Sequence, residues 1–88
     1  IDAAVVRAIM ELRSAIAPDA ARRAAQRRRE PQCAALEAAA AAMADATADL
    51  ALLQERALQF WRILIEAADN LAYRLAFNGL RETYDRAR

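Results

Sequence analysis

Histidine and lysine are both absent from this 88-residue sequence, and cysteine occurs once, as Cys33. Histidine is the commonest metal ligand and the commonest general base in proteins, so its absence argues against an ordinary metal centre and against acid–base catalysis. A single cysteine cannot form a disulfide within the chain. The sequence also has no glycine-rich phosphate loop and no serine–histidine–aspartate set. We therefore expect no enzyme activity, no metal and no cofactor.

Turn-forming residues are scarce, since the sequence has one glycine and two prolines. Tight β-hairpins depend on such residues, whereas alanine, which is abundant here, favours helix. The length is sufficient for one small domain. The expected fold class is all-α, an antiparallel bundle of about five helices.

Long apolar runs and an excess of one charge are missing as well. A membrane-spanning helix needs about 20 consecutive apolar residues, and the alanine-rich run at 38–44 ends at Asp45. The 13 arginines nearly balance 12 acidic residues, for a net charge of +1, so the overall charge does not indicate nucleic-acid binding. We expect a cytoplasmic protein without a membrane span.

Apolar spacing and capping residues predict five helices, at about residues 2–16, 18–29, 31–46, 49–68 and 71–88. Proline is tolerated in the first turn of a helix but not in its interior. The first helix should therefore break or kink at Pro18, where a second begins, and Pro31 should start the third.

The fourth predicted helix is apolar over more than half of its circumference and should be central to the bundle. The candidate N-caps of this helix are Asp45, Thr47 and Asp49, and Asp69 and Asn70 should cap the last helix. In that last helix Gly79 costs about 1 kcal/mol relative to alanine, which indicates close backbone packing or a ligand beside it.

Five arginines cluster at the end of the second predicted helix. They are Arg22, Arg23, Arg27, Arg28 and Arg29. The run could be a nucleic-acid patch or a solvated helix end. Single-stranded nucleic-acid sites combine basic residues with aromatic side chains, and no aromatic residue is interleaved with this run. Arginine also suits the negative C-terminal end of a helix. We favour the solvated helix end.

One arrangement in the sequence resembles a binding site. Arg13 stands between Leu12 and Ile16 on the first helix and should lean toward the interior, where polar and aromatic groups of the last two helices could meet it. Those groups are Trp61, Tyr73, Asn78 and Tyr84. From the residues alone, a ligand role for Arg13 and an ordinary structural role both remain open.

Two blocks of sequence resemble a known family. Residues 60–70, FWRILIEAADN, are followed by LAFNGLR at 75–81 and by Tyr84, and ELRSAIAPDAAR stands upstream at 11–22. These blocks resemble the C-terminal effector domain of the GntR superfamily of bacterial transcription regulators, FadR branch. That branch has a phenylalanine–histidine helix, an Ala-Ser-Gly-Asn hinge, and a Glu-x-Arg segment upstream at the same distance.

The resemblance implies a helical bundle that dimerises and binds a small effector, often a carboxylate or an acyl-CoA. It implies that Arg13 reaches the effector and that Asn78, Gly79 and Tyr84 match the acyl-CoA-responsive members. The metal-binding majority of the family has an aspartate and a histidine where this sequence has Ala57 and Trp61. The chain is therefore similar to the metal-free subgroup, for which an apolar pocket is expected.

Two parts of the family architecture are missing from this sequence, which begins with isoleucine and resembles a fragment. The DNA-binding winged helix-turn-helix precedes the effector domain in the family, so DNA would be bound only through that N-terminal domain. About two closing helices follow Tyr84 in the family. Without them, apolar faces of the last two helices should be uncovered, and we expect self-association as a homodimer.

The leading functional hypothesis is a ligand-sensing and dimerisation domain of such a regulator, with Arg13, Trp61, Tyr73, Asn78 and Tyr84 as effector-binding residues. The alternative is a structural helical module that docks a partner protein through its apolar stripe, without a small ligand.

Overall fold

The computed structural model describes residues 2–87, except for the side chains of Tyr84 and Ala87. The described residues form four α-helices and no strand: α1 (Ala3–Arg27), α2 (Glu30–Ala44), α3 (Leu50–Ala68) and α4 (Leu71–Ala87). The predicted all-α class is confirmed. The number of helices was wrong by one, because the first two predicted helices are the single helix α1.

Pro18 lies inside α1 rather than at a helix boundary. A proline has no backbone N–H, so the bond that residue 18 would donate to the carbonyl of Ser14 is missing, at a typical cost of about 3 kcal/mol. The helix nevertheless continues, since Ala20 and Ala24 in the next turns are buried in the core cluster. Burial of the following turns thus outweighs the local effect of the proline.

The predicted caps are confirmed at the starts of α3 and α4. Asp49 Oδ1 accepts a hydrogen bond from the backbone N–H of Leu52 at 3.2 Å, and Asn70 Oδ1 accepts one from Tyr73 at 3.0 Å. Between them, Asp69 adopts the left-handed conformation with φ 51° and ends α3, a position that aspartate and asparagine tolerate better than most residues. The break between the two helices is therefore encoded locally.

The helix α3 packs against each of the other three helices, as its apolar composition predicts. The end of α1 lies at the end of α3, where Arg27 reaches Ala68, so α1 and α3 run parallel. Helix α2 runs antiparallel to α3, because its start shares a cleft with the end of α3. Helix α4 also runs antiparallel to α3, because it begins next to the end of α3 and its later residues share a groove with earlier residues of α3. This arrangement leaves α3 in the middle of the bundle.

The core is small and consists mainly of alanine. Its buried members are Ala20, Ala24, Leu64, Ile65, Ala67 and Ala68, with Leu36, Trp61, Tyr73 and Phe77 packed against them. Ile65 is the largest fully buried side chain among the described residues. The alanines on α1 and α3 allow the two helix axes to approach closely. Stability therefore depends on a few close contacts rather than on a large apolar volume.

Several leucines remain exposed, as expected for an uncovered bundle face. On α4, Leu71 and Leu75 are 67% and 63% exposed, and Leu50 at the start of α3 is 70% exposed. A Cβ added at Gly79 would meet no atom within 4 Å. The prediction of close backbone packing at Gly79 was therefore wrong, as far as the described residues show.

Candidate functional site

An apolar groove of about 390 Å³ lies between α1, α3 and α4. Small-molecule sites are commonly about 300–1,000 Å³ in volume and mostly apolar, with a few polar groups that fix the ligand. The wall from α1 includes Ile9 and Ile16, the wall from α3 includes Leu58 and Trp61, and α4 supplies Phe77. The groove thus has the size and the lining of an organic-ligand site.

Arg13 and Trp61 meet at this groove. The guanidinium carbon of Arg13 lies 4.9 Å from the centroid of the Trp61 ring, a cation–π contact worth about 0.5–1 kcal/mol at an exposed position. Phe60 packs edge-on against Trp61, with ring centroids 6.3 Å apart. Arg13 is solvent-exposed rather than turned inward. Its expected interior position was therefore wrong, although it does lie beside Trp61.

Ala57 precedes Trp61 by one helical turn, and both residues line the groove. Their side chains offer no ligand to a metal ion. Within residues 2–87 the structure brings together no group of three or more His, Cys, Asp or Glu side chains that could hold a metal. Ala57 leaves space on the α3 surface, which becomes part of the groove beside the Trp61 ring.

Arg81 also lines the groove, although it was not among the predicted site residues. It follows Phe77 by four residues on α4, so helical spacing places both on one face. That spacing was the available signal, since Phe77 was recognised as an apolar residue of this helix. Arg81 joins the groove lining from α4 and Arg13 joins it from α1, and the Nε atom of Arg81 forms an ion pair with Asp85 Oδ2 at 3.6 Å.

Tyr73 lies outside the groove, in a polar cluster that joins α4 to α1. Its hydroxyl donates a hydrogen bond to Asp19 Oδ2, and Asp19 also accepts from Arg22 and Arg23, each at 2.7 Å. We call Asp19, Arg22, Arg23 and Tyr73 the clasp. The predicted role of Tyr73 beside Arg13 therefore finds no support in its position, because its hydroxyl is already paired with Asp19.

Hydrogen bonds in the clasp shift the pKa values of Asp19, Arg23 and Tyr73. The bonds from Tyr73, Arg23 and Arg22 hold the pKa of Asp19 well below its usual range. The bond to Asp19 raises the pKa of Tyr73 above its usual value and also raises the pKa of Arg23. Each shift favours the protonation state that forms the hydrogen bonds, which is the ionised carboxylate of Asp19, the charged guanidinium of Arg23 and the protonated hydroxyl of Tyr73.

The clasp predicts a pH dependence of folding. A lowered Asp19 pKa stabilises the fold above the ordinary aspartate value of about 3.9, and a raised Tyr73 pKa stabilises it below the ordinary tyrosine value of about 10. The contribution of the clasp should be constant between these values and lost as pH falls through the Asp19 pKa or rises through the Tyr73 pKa. In thermal melts across this range, Tyr73→Phe should move acid unfolding to higher pH.

Glu37→Gln, at an exposed position of α2, is the control and should leave the acid limb in place. An unchanged acid limb in Tyr73→Phe would contradict the assigned role of the hydroxyl.

The two remaining predicted site residues are not part of the groove as described. Asn78 is exposed on α4 and does not line it. The side chain of Tyr84 lies outside the described part of the structure. Arg13 and Trp61 are thus the members of the predicted set that the structure brings together.

The arginine run at the end of α1 makes contacts within the domain. Arg27 donates to the carbonyl oxygens of Ala68 at 3.0 Å and Asp69 at 3.2 Å, at the end of α3. Arg28 contacts the sulfur of Cys33. A purely solvated helix end was therefore an incomplete interpretation, because Arg27 supplies donors to otherwise unpaired helix carbonyls.

A second cleft, of about 560 Å³, lies around Arg27 where the helix ends meet. Its lining is polar and carries both charge signs, from Arg29 and Arg74 on one hand and Glu66 and Asp69 on the other. The apolar groove is therefore the better candidate for an organic ligand.

No helix formed by the described residues is both long and apolar enough to cross a membrane.

Comparison with known proteins gives one family match. The model of the FCD domain matches residues 8–88, which is nearly the whole chain and includes the groove residues from Ile9 to Arg81. Neither the curated proteins nor the solved structures give a significant match. The chain belongs to the FCD domain family, the ligand-binding regulatory domains of GntR-type transcription regulators.

Proposed function

We propose that the groove between α1, α3 and α4 is the effector site of this FCD domain, and that it binds a small organic acid or an acyl-CoA. The observation that carries the proposal is the placement of Arg13 over Trp61 at the mouth of an apolar groove. Guanidinium is well suited to a carboxylate or phosphate group. The apolar walls suit an acyl chain.

Arg13 is well prepared for this role. Its guanidinium makes no hydrogen bond or ion pair with another described residue, and its contact with Trp61 uses the face of the ion. The N–H groups at the edge are thus available to an acid group. Trp61 is itself positioned by Phe60 and by the core. The geometry therefore supports a stacked arginine that donates to the ligand.

In the regulator, effector binding would change the arrangement of DNA-binding domains outside this chain, by favouring one domain orientation over another. We propose that it acts as a homodimer, which the exposed Leu71 and Leu75 of α4 support. DNA contact belongs to the separate N-terminal domain in this proposal.

Titration calorimetry of the chain with decanoate and decanoyl-CoA tests the proposal. Arg13→Ala should weaken binding about tenfold, equivalent to about 1.4 kcal/mol, because the variant loses one charge-assisted contact at an exposed site. The matched control is Arg7→Ala, an exposed arginine on the same helix that does not line the groove, and its affinity should match the wild type. Equal affinities for Arg13→Ala and wild type would remove Arg13 from the site.

The interaction-module alternative makes a different prediction for the same titration. A module without a small ligand would show no heat of binding and no rise in melting temperature with any acid or CoA ester.

A further inference from the structure

We propose that the first half of α1, residues 3–17, is a movable wall of the groove that pivots at Pro18, while the second half of the helix stays fixed to the core. We call residues 3–17 the arm. As a gate to the effector site, the arm rests on the proposed function. Its motion requires no ligand, so the two proposals can be tested separately.

The second half of α1 is held to the rest of the domain by its side chains. Ala20 and Ala24 are buried in the core cluster. The hydroxyl of Tyr73 donates a hydrogen bond to Asp19, and Arg27 donates to a carbonyl at the end of α3 at 3.0 Å. Hydrogen bonds at both ends of this half, with buried alanines between them, fix its position relative to α3 and α4.

The arm lies outside the core. None of residues 3–17 is buried in the described structure, and none belongs to the core cluster. The arm contacts the domain through the side chains that line the groove and through the stacking of Arg13 on Trp61. Segments with few buried apolar contacts open at a lower free energy than the whole domain. The arm can therefore move while the core stays folded.

Pro18 lies at the boundary between the two halves of α1. It has no N–H to donate to the carbonyl of Ser14, so one of the hydrogen bonds that would join the arm to the fixed half is missing. Sharp bends in helices occur most often at such positions. The weakest point of the helix thus coincides with the point where its contacts with the domain begin, at Asp19 and Ala20.

All of the groove lining that α1 supplies belongs to the arm. The lining residues from α1 are Val6, Ile9, Met10, Arg13 and Ile16. Val6 and Met10 are 41% and 50% exposed although they line the groove. Closure of the arm onto a bound ligand would bury this apolar surface, which is favourable. Opening would lift Arg13 from Trp61 and widen the groove, so the position of the arm sets the access to the site.

Distances between two spin labels, measured by double electron–electron resonance, test the inference without a ligand. The labels are attached to cysteines introduced at exposed positions in a Cys33→Ala background, and labelled chain is diluted with unlabelled chain so that each distance lies within one chain. Arg7→Cys with Arg56→Cys joins the arm to α3, and Gln26→Cys with Arg56→Cys joins the fixed half to α3. The distance distribution of the arm pair should be about twice as broad as that of the other pair, since a hinge moves one segment as a body.

Pro18→Ala should narrow the distribution of the arm pair to the width of the other pair, because alanine restores the N–H that donates to the carbonyl of Ser14. Ser14→Ala is the matched control. It raises the helix propensity of the arm but leaves Pro18 in place, so the broad distribution should remain. Amide hydrogen exchange along the arm distinguishes a pivoting helix, whose amides stay protected beyond the first turn, from a helix that unravels.

Three results would overturn the inference. Equal widths for the two label pairs would mean that the arm is fixed. A broad distribution that persists in Pro18→Ala would mean that the arm does not pivot there. Arm amides that exchange as fast as those of an unfolded peptide would mean that the arm unravels instead. The titration with decanoate tests the proposed function independently of all three.

Discussion

Ile65→Ala should lower the free energy of unfolding by about 2–5 kcal/mol, the range found for truncation of large buried aliphatic side chains. Ile65 is 2% exposed and is the largest fully buried side chain in the described structure. Its buried neighbours in the core cluster are mainly alanines, which cannot fill the space, and the larger side chains beside the cluster, such as Leu36 and Phe77, are only partly buried. The cavity should therefore persist.

Urea unfolding followed by circular dichroism measures this loss, with Leu50→Ala as the control on the same helix. Leu50 is 70% exposed, and its truncation should change stability by no more than about 0.5 kcal/mol. Since small domains have about 5–15 kcal/mol in total, Ile65→Ala should lose a large fraction of the stability and unfold at a lower urea concentration than the wild type. A loss as small as that of Leu50→Ala would mean that the core lies elsewhere.

Ala24→Leu should destabilise the fold by about 1–3 kcal/mol through overpacking. Ala24 is 3% exposed and belongs to the core cluster in which α1 meets α3, where Ala67 and Ala68 are also fully buried. A leucine there must push the two helices apart. Leucine and alanine have similar helix propensity, so the effect reports packing rather than helix formation.

The neighbouring Ala25→Leu is the matched control, because Ala25 is exposed on the same helix. Its melting temperature should stay near the wild-type value while that of Ala24→Leu falls. If the two variants have the same melting temperature, close packing between α1 and α3 does not limit stability.

The helices themselves were largely predictable, since their signals are local. The acidic and amide caps Asp49 and Asn70 lie next to the segments that they start, and each bonds a backbone N–H three residues later. Pro31 stands in the first turn of α2, as expected. The central position of α3 followed from its composition, because a helix that is apolar over most of its surface must be covered on several sides.

Pro18 and the arginine run were misjudged for one shared reason. Both were interpreted from their immediate neighbours in the sequence, whereas the structure around each of them depends on contacts with residues distant in the sequence. The buried Ala20 and Ala24 carry α1 past Pro18, and Arg27 reaches a carbonyl 41 residues away. Tertiary contacts of this kind override local propensity and leave no periodic signal.

Part of the groove could be predicted in the same way, and part could not. Arg13 and Trp61 were selected together, and they meet in the structure. Tyr73 was selected with them, but its hydroxyl bonds Asp19, which is 54 residues away. Arg81 was missed because an arginine on a helix is ordinary by sequence, and its four-residue spacing from Phe77 was the one sequence signal that it lies on the same face.

The parallel packing of α1 and α3 has a consequence for the order of folding. Helical hairpins assemble quickly because their contacts are local, and folding slows as contacting residues become more distant in the chain. Here the contacts between α1 and the later helices join residues 41 to 54 positions apart. We expect the hairpin of α2 and α3, whose contacts are more local, to form before α1 docks and brings Ala20 and Ala24 to the buried cluster. The apolar groove, which is lined from α1, α3 and α4, should then be completed in the last steps of folding rather than the first.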